Sequence, residues 1–226
     1  MTRVKLCGIT RQDDLEAAVE AGADAIGIVC DVTVDTPREV TAERAAELVA
    51  ATPPLVTTVL VTMPSGPERA IELVEAVEPD AIQVHGGMRP GDLAYLRAKS
   101  NTNVFLAVDA DDVATADLYD DIADALVVDS VDESGAGGTG ETHDWTQTRA
   151  AISTLESPVL LAGGLTPENV AEAIRTVDPF AVDVSSGIEA EPGRKDHDAL
   201  TRFVTSARHA SKRTDSSVDD RRAIES

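Results

Sequence analysis

Eight short apolar runs alternate with eight segments of helical periodicity, and this beat predicts an α/β fold, a single-domain (β/α)8 barrel. Two further observations agree. The strand-like runs are apolar on both faces, as in a parallel sheet covered on each side. The length of 226 residues suits one barrel domain. The expected organisation is a catalytic barrel over residues 1–210, then a polar tail, 211–226, that reads as frayed.

Each element has its own signal. Residues 3–7 form an apolar run that stops at Gly8, where the chain must turn, and 13–20 carry the first helical period. The second strand, 24–29, precedes a helix over 42–51 with Thr41 placed to cap it. The third, 55–61, is rich in β-branched residues, and Pro67 opens the helix 67–77 at its first turn. Residues 81–84 and 90–97 make the fourth unit. The fifth strand, 104–108, is followed by a helix over 111–121 that should be short, because 109–124 is so acidic. Strand 125–128 pairs with helix 143–155, and strand 158–161 with helix 167–176 behind Thr166. The last unit is 180–184 with 195–210.

Composition narrows the function. The net charge is −22, from 41 acidic and 19 basic residues, and that field repels nucleic acid and anionic membranes, so neither is expected as a partner. Acids such as Asp13, Asp14, Glu43, Glu47, Glu72, Glu75, Asp120 and Asp121 are expected on solvent faces, a pattern suited to a salty cytoplasm. No apolar run approaches the ~20 residues of a membrane span, and the N-terminus lacks a signal-peptide pattern, so a cytoplasmic protein is expected. Cys7 and Cys30 form no CxxC and no His/Asp/Glu cluster has metal-ligand spacing, so no metal is expected.

In such a barrel the chemistry sits just beyond the C-terminal ends of the strands. Cys7 ends strand 1 and is the right type for a base or nucleophile, although a buried Cys is more often a small hydrophobe. Asp129 ends strand 6, where partial burial would raise its pKa and suit it to donate a proton; a loop-capping Asp is the plainer reading, and Asp109 on strand 5 is its rival. Arg38 in loop 2 could grip a carboxylate in bidentate fashion, or lie exposed. His85 follows strand 4, in a place where a packed histidine is commoner than a catalyst. Three glycine-rich loops after strands 6, 7 and 8 could cradle a phosphate with backbone N–H groups: Gly137, Gly138 and Gly140; Gly163 and Gly164; Ser186 and Gly187. The first also satisfies G-x-G-x-x-G, but its place in the sixth unit and the following Ala162-Gly163 argue against a dinucleotide site.

These segments together closely resemble the phosphoribosylanthranilate isomerases of tryptophan biosynthesis, from about Val4 to Phe203. The resemblance rests on Lys5-Leu6-Cys7-Gly8-Ile9-Thr10, Thr36-Pro37-Arg38, Gln83-Val84-His85-Gly86, Gly137-Gly138-Thr139-Gly140 with Asp144-Trp145, Leu161 through Val170, and Val182 through Glu189 with Gly193, Lys195 and Asp196. It implies a (β/α)8 barrel that performs a cofactor-free Amadori rearrangement of phosphoribosylanthranilate, acting as monomer or homodimer. Asp129 then resembles the general acid and Cys7 the general base, with Lys5 or local dipoles lowering the thiol pKa. Arg38 would hold the anthranilate carboxylate, the three loops the phosphate, and His85 and Asp183 would line the site.

The chain departs from the family pattern in a longer loop 2, in His143, and in Cys30 where an aromatic is common; Cys30 is expected close enough to Cys7 for an inactivating disulfide. Rival readings are another phosphosugar barrel, such as an indole-glycerol-phosphate synthase or ribulose-phosphate epimerase, or a binding barrel without catalysis. The first lacks its catalytic Lys and Glu set, the second its metal-binding His and Asp set, and the third is disfavoured by having both Cys7 and Asp129.

Overall fold

In the computed structural model, which describes residues 1–129 and 144–219, eight parallel strands close into a barrel in chain order. They are β1 (Arg3–Leu6), β2 (Ala25–Val29), β3 (Thr57–Thr62), β4 (Ala81–Val84), β5 (Asn103–Asp109), β6 (Ala125–Asp129), β7 (Val159–Leu161) and β8 (Ala181–Val184). Closure is made by β1 against β8, with Lys5 level with Asp183. The helices α1 (Gln12–Ala21), α2 (Ala42–Ala51), α3 (Pro67–Val77), α4 (Pro90–Lys99), α5 (Trp145–Ile152), α6 (Val170–Val177) and α7 (His197–Asp219) ring it, so the expected (β/α)8 barrel is the fold observed. Between β8 and α7 a small hairpin, β9 (Glu189–Glu191) with β10 (Arg194–Lys195), is added to the plan.

Strand residues alternate between two apolar layers. Outward-facing Leu6, Ile26, Ile28, Leu60, Val182 and Val184 pack under the helices in one continuous cluster. The barrel interior is narrow, and small residues fill it: Ala125, Ala162 and Ala181 around Val127, Leu160 and Phe105. Helix α6 shows how a helix earns its place, burying Val170, Ala173, Ile174 and Val177 at i, i+3, i+4 and i+7. Each large aliphatic in that stripe contributes roughly 1.5–3 kcal/mol on burial.

At the end of the barrel where the strands begin, three aspartates clasp alternate strand pairs. Asp24 accepts from Val4 N at 2.9 Å, Asp80 from Thr58 N at 2.8 Å, and Asp124 from Val104 N at 2.8 Å. The corresponding place before β8 is held by Phe180, which is partly exposed and stacks under Arg3 at 4.3 Å.

Four expectations are corrected. The fifth helix is a 3-10 segment, Ala110–Leu118, kinked at Asp112; like charges close together in an acid-rich run repel, and Asp favours local backbone bonds over helix. Asp14 is buried rather than solvent-facing, since the hairpin and α7 close over the start of α1: its carboxylate pairs with His197 at 2.8 Å and accepts from Lys195 N. Helix α6 starts at Val170 rather than 167, because Thr166 first makes a turn closed by Asn169 Oδ1 at 2.8 Å. Cys7 and Cys30 are both free. Cys7 lies level with Gly27, while Cys30 comes three residues further along the neighbouring strand, about 10 Å away in rise. Cys30 also packs outward with Ile28, Ala45 and Leu48, so a disulfide between them would need a large backbone movement.

Candidate active site

A cavity of about 570 Å³ opens at the C-terminal mouth of the barrel. Its wall contains Cys7 from the end of β1, Arg38 from loop 2, His85 after β4, Asp129 from β6, Gly163 and Gly164 after β7, and Asp183 and Ser186 from β8 and its loop. Sequence-expected groups from six strands therefore meet on one space. Asp109, the rival carboxylate, is paired in register with Asp129 but is not on the wall. Gly187 is also off the wall. Its hydrogen takes a space where a Cβ would lie 1.9 Å from the Leu165 carbonyl oxygen, so it lets loops 7 and 8 close on each other. Gly137, Gly138 and Gly140, with His143, lie outside the described residues.

Strand alternation explains the floor of the cavity. Lys5 and Cys7 are two apart on β1 and so share the inner face. Lys5 is only 1% exposed and reaches Asp183 Oδ2 at 2.6 Å across the β1–β8 pairing. Burial lowers the Lys5 pKa, but Asp183 and Cys7 outweigh it and hold the ammonium above its ordinary pKa. For Cys7 the balance goes the other way. Burial raises the thiol above its ordinary value, and the Lys5 and Lys195 charges offset only part of that. The expected lowering by Lys5 is therefore present but outweighed. His85 is pushed down to about 4 by burial and by Lys5, so it is a neutral imidazole at pH 7.

Arg38 does not stand free. Its Nε donates to Glu189 Oε1 at 2.8 Å and its Nη2 to Glu189 Oε2 at 2.7 Å. Lys195, buried to 3% exposure, donates to the same Glu189 Oε1 at 3.0 Å and to the Ser185 carbonyl at 3.0 Å. Burial would raise the Glu189 carboxyl, but these two cations hold it below its ordinary value. Val29, Val32, Val34, Val61 and Met63 give the same cavity an apolar lining, suited to an aromatic ring. Two buried acceptors in the cavity, Gln83 Oε1 and Asp183 Oδ1, have no hydrogen-bond partner among the described residues.

The family described as N-(5'phosphoribosyl)anthranilate (PRA) isomerase matches residues 4–206. The chain belongs to this family. It is 58% identical over 207 residues to the N-(5'-phosphoribosyl)anthranilate isomerase of Halorubrum lacusprofundi, covering 92% of this chain and 97% of that one. The Halobacterium salinarum isomerase is 59% identical over 210 residues, covering 92% and 96%. Among solved structures, phosphoribosyl anthranilate isomerase from Thermotoga maritima superposes with a TM-score of 0.82 at 35% identity, over 92% of this chain and 100% of that one. A second phosphoribosyl anthranilate isomerase, in complex with reduced 1-(o-carboxyphenylamino)-1-deoxyribulose 5-phosphate, superposes at 0.80 and 33%, over 92% and 100%.

Within this isomerase barrel, sequence reasoning missed Lys195, Glu189 and Gln83 as members of the site's surroundings. Gln83 carried a usable signal, a polar residue in the middle of the apolar run Ala81-Ile82-Gln83-Val84. Glu189 and Lys195 stood among the family segments without any assigned role.

Proposed function

We propose that this isomerase converts N-(5-phosphoribosyl)anthranilate into 1-(2-carboxyphenylamino)-1-deoxyribulose 5-phosphate, with Asp129 as general acid and Cys7 as general base. The observation that carries the reading is that Cys7 and Asp129 border one cavity with Arg38 and the loops after β7 and β8. Asp129 donates its proton to the ribose ring oxygen as the C1–O bond breaks, leaving a cationic Schiff base. Cys7 removes the proton from C2, and the electron pair neutralises the iminium to give an enolamine. That species tautomerises to the ketone, C1 gaining the hydrogen that C2 loses. C1 is reduced, C2 is oxidised, and no external oxidant is required.

Cys7 acts as its thiolate, formed by loss of the thiol proton to solvent. Burial opposes that ionisation, Lys5 and Lys195 assist it, and the cation formed at C1 favours it further. Arg38 receives the anthranilate carboxylate. Gly163, Gly164 and Ser186 hold the phosphate with backbone N–H groups, with Gly187 allowing their loops to close. Asp183 Oδ1 accepts from a sugar hydroxyl, and neutral His85 packs beside it.

The test follows the fluorescence of phosphoribosylanthranilate. Cys7→Ser and Asp129→Asn are each expected to lower kcat by about 10²-fold or more with little change in KM. Wild-type kcat in either variant would remove that residue from the mechanism. Failure of the wild-type chain to support a tryptophan auxotroph lacking the isomerase would remove the reaction itself.

A further inference from the structure

The hairpin between β8 and α7 is absent from the basic barrel plan, and its residues neither give nor take the reacting protons, although the Lys195 charge bears on the Cys7 thiol. It nevertheless touches loop 2, the loop after β1, and Arg38 itself. A Cβ on Gly193, in the hairpin turn, would fall 2.5 Å from the Pro37 carbonyl oxygen, so turn and loop 2 are in van der Waals contact. Thr10, in the loop after β1, donates to the Gly193 carbonyl at 3.1 Å and ties the hairpin to the first strand's loop. Glu189, whose side chain is 6% exposed, takes the Nε and Nη2 edge of Arg38. Below, the Arg38 stem lies over Gly8, where a Cβ would come within 3.0 Å of Cδ.

A guanidinium has five N–H donors in a fixed plane, and two edges can each receive a carboxylate. Glu189 occupies the side edge, Nε with Nη2. The end edge, Nη1 with the second Nη2 hydrogen, is left for a ligand, and Arg38 lines the cavity while Glu189 and Lys195 do not. Lys195 fixes Glu189 in turn and, with Arg38, leaves the triad one positive charge in excess.

We propose that Glu189, anchored by Lys195, is a positioning residue that aims the end edge of Arg38 at the carboxylate on the substrate's aromatic ring. This rests on the Arg38 reading above and goes beyond it by giving the hairpin a role in selecting ring-carboxylated substrates. A free Arg38 would sample many rotamers, and holding it in one geometry removes that ordering loss from binding.

The test uses the reduced product, 1-(o-carboxyphenylamino)-1-deoxyribulose 5-phosphate, and its counterpart lacking the ring carboxylate. Dissociation constants are measured for the wild type, Arg38→Met, Glu189→Gln and Lys195→Met in molar potassium chloride. Glu189→Gln is expected to weaken the carboxylated ligand about tenfold or more while leaving the decarboxylated one within about twofold. KM should rise with kcat much less affected, and Lys195→Met should move both constants in the same direction by a smaller factor. Equal weakening of both ligands by Glu189→Gln would mean a merely structural role and overturn the proposal. Full discrimination in Glu189→Gln, with discrimination lost in Arg38→Met, would also overturn it while leaving the Arg38 reading intact. Discrimination surviving in Arg38→Met would sink the Arg38 reading, and this inference with it.

Discussion

Lys5 is the residue on which the floor of the site balances. Its ammonium is held charged by Asp183 and in turn moderates the buried Cys7 thiol. Replacing it with Met leaves Asp183 buried beside no cation, which is expected to destabilise the fold by about 3–5 kcal/mol. It also removes a charge that lowers the thiol pKa, so the ascending limb of kcat/KM against pH should move to higher pH. Protein still folded in the presence of product analogue suffices for the measurement, and an unmoved limb would separate Lys5 from Cys7. His85 gives a second pH signature. Its folded pKa of about 4 lies below its ordinary 6.5, so the unfolded chain binds the extra proton between those values. Stability is then full above about pH 6.5 and falls as pH drops toward 4. His85→Asn should flatten that part of the melting-temperature profile, and an unchanged slope would count against the neutral imidazole. That Cys7, Asp129 and Arg38 would lie at the barrel mouth was legible in sequence, because each sits at or beyond a strand's C-terminal end and the fold rule assigns meaning to that place. The partners of Arg38 were not, since Glu189 stands 151 positions away and meets it only once the barrel has closed.

At the scale of elements the strand starts are as instructive as the strand ends. Asp80 accepts from both Thr58 N at 2.8 Å and Thr58 Oγ1 at 2.7 Å, and so locks β3 to the chain entering β4. Asp24 and Asp124 do the same for β1 and β5. Bonds to a charged acceptor are worth more than neutral ones, so Asp80→Ala should destabilise by roughly 1.5–3 kcal/mol. Because the clasp is at the opposite end of the barrel from the cavity, kcat and KM should be unchanged. A fall in kcat without a fall in melting temperature would contradict this division of labour between the two ends. Eight strands could be read from apolar runs alone, and their observed bounds differ by at most two residues. The clasps could not, because an Asp before a strand looks the same whether it caps, pairs or simply meets water. The fifth helix shows the reverse case. Its apolar period was present, and local repulsion among acids won over it.

For the whole molecule, charge is the governing quantity. Of the four lysines, Lys5 and Lys195 are buried around the site, so arginine supplies most of the positive charge that faces the acidic surface. With a net charge of −22, self-repulsion acts against the compact state whenever the screening length is long. That length falls from about 30 Å at 0.01 M salt to about 3 Å at 1 M. The surface ion pairs, such as Arg11 with Asp13, are weakened by the same screening, but exposed pairs contribute little, so the net effect is stabilisation. The melting temperature should therefore rise between dilute buffer and molar potassium chloride. The substrate is an anion approaching this field, and screening should also raise kcat/KM over the same range, provided capture is slowed by repulsion. The two readouts separate global from local electrostatics. A melting temperature that rises while kcat/KM falls would show that the cationic triad of Arg38, Lys195 and Glu189 dominates substrate capture. A melting temperature that does not move would mean that the acidic surface is not what ties this fold to salt.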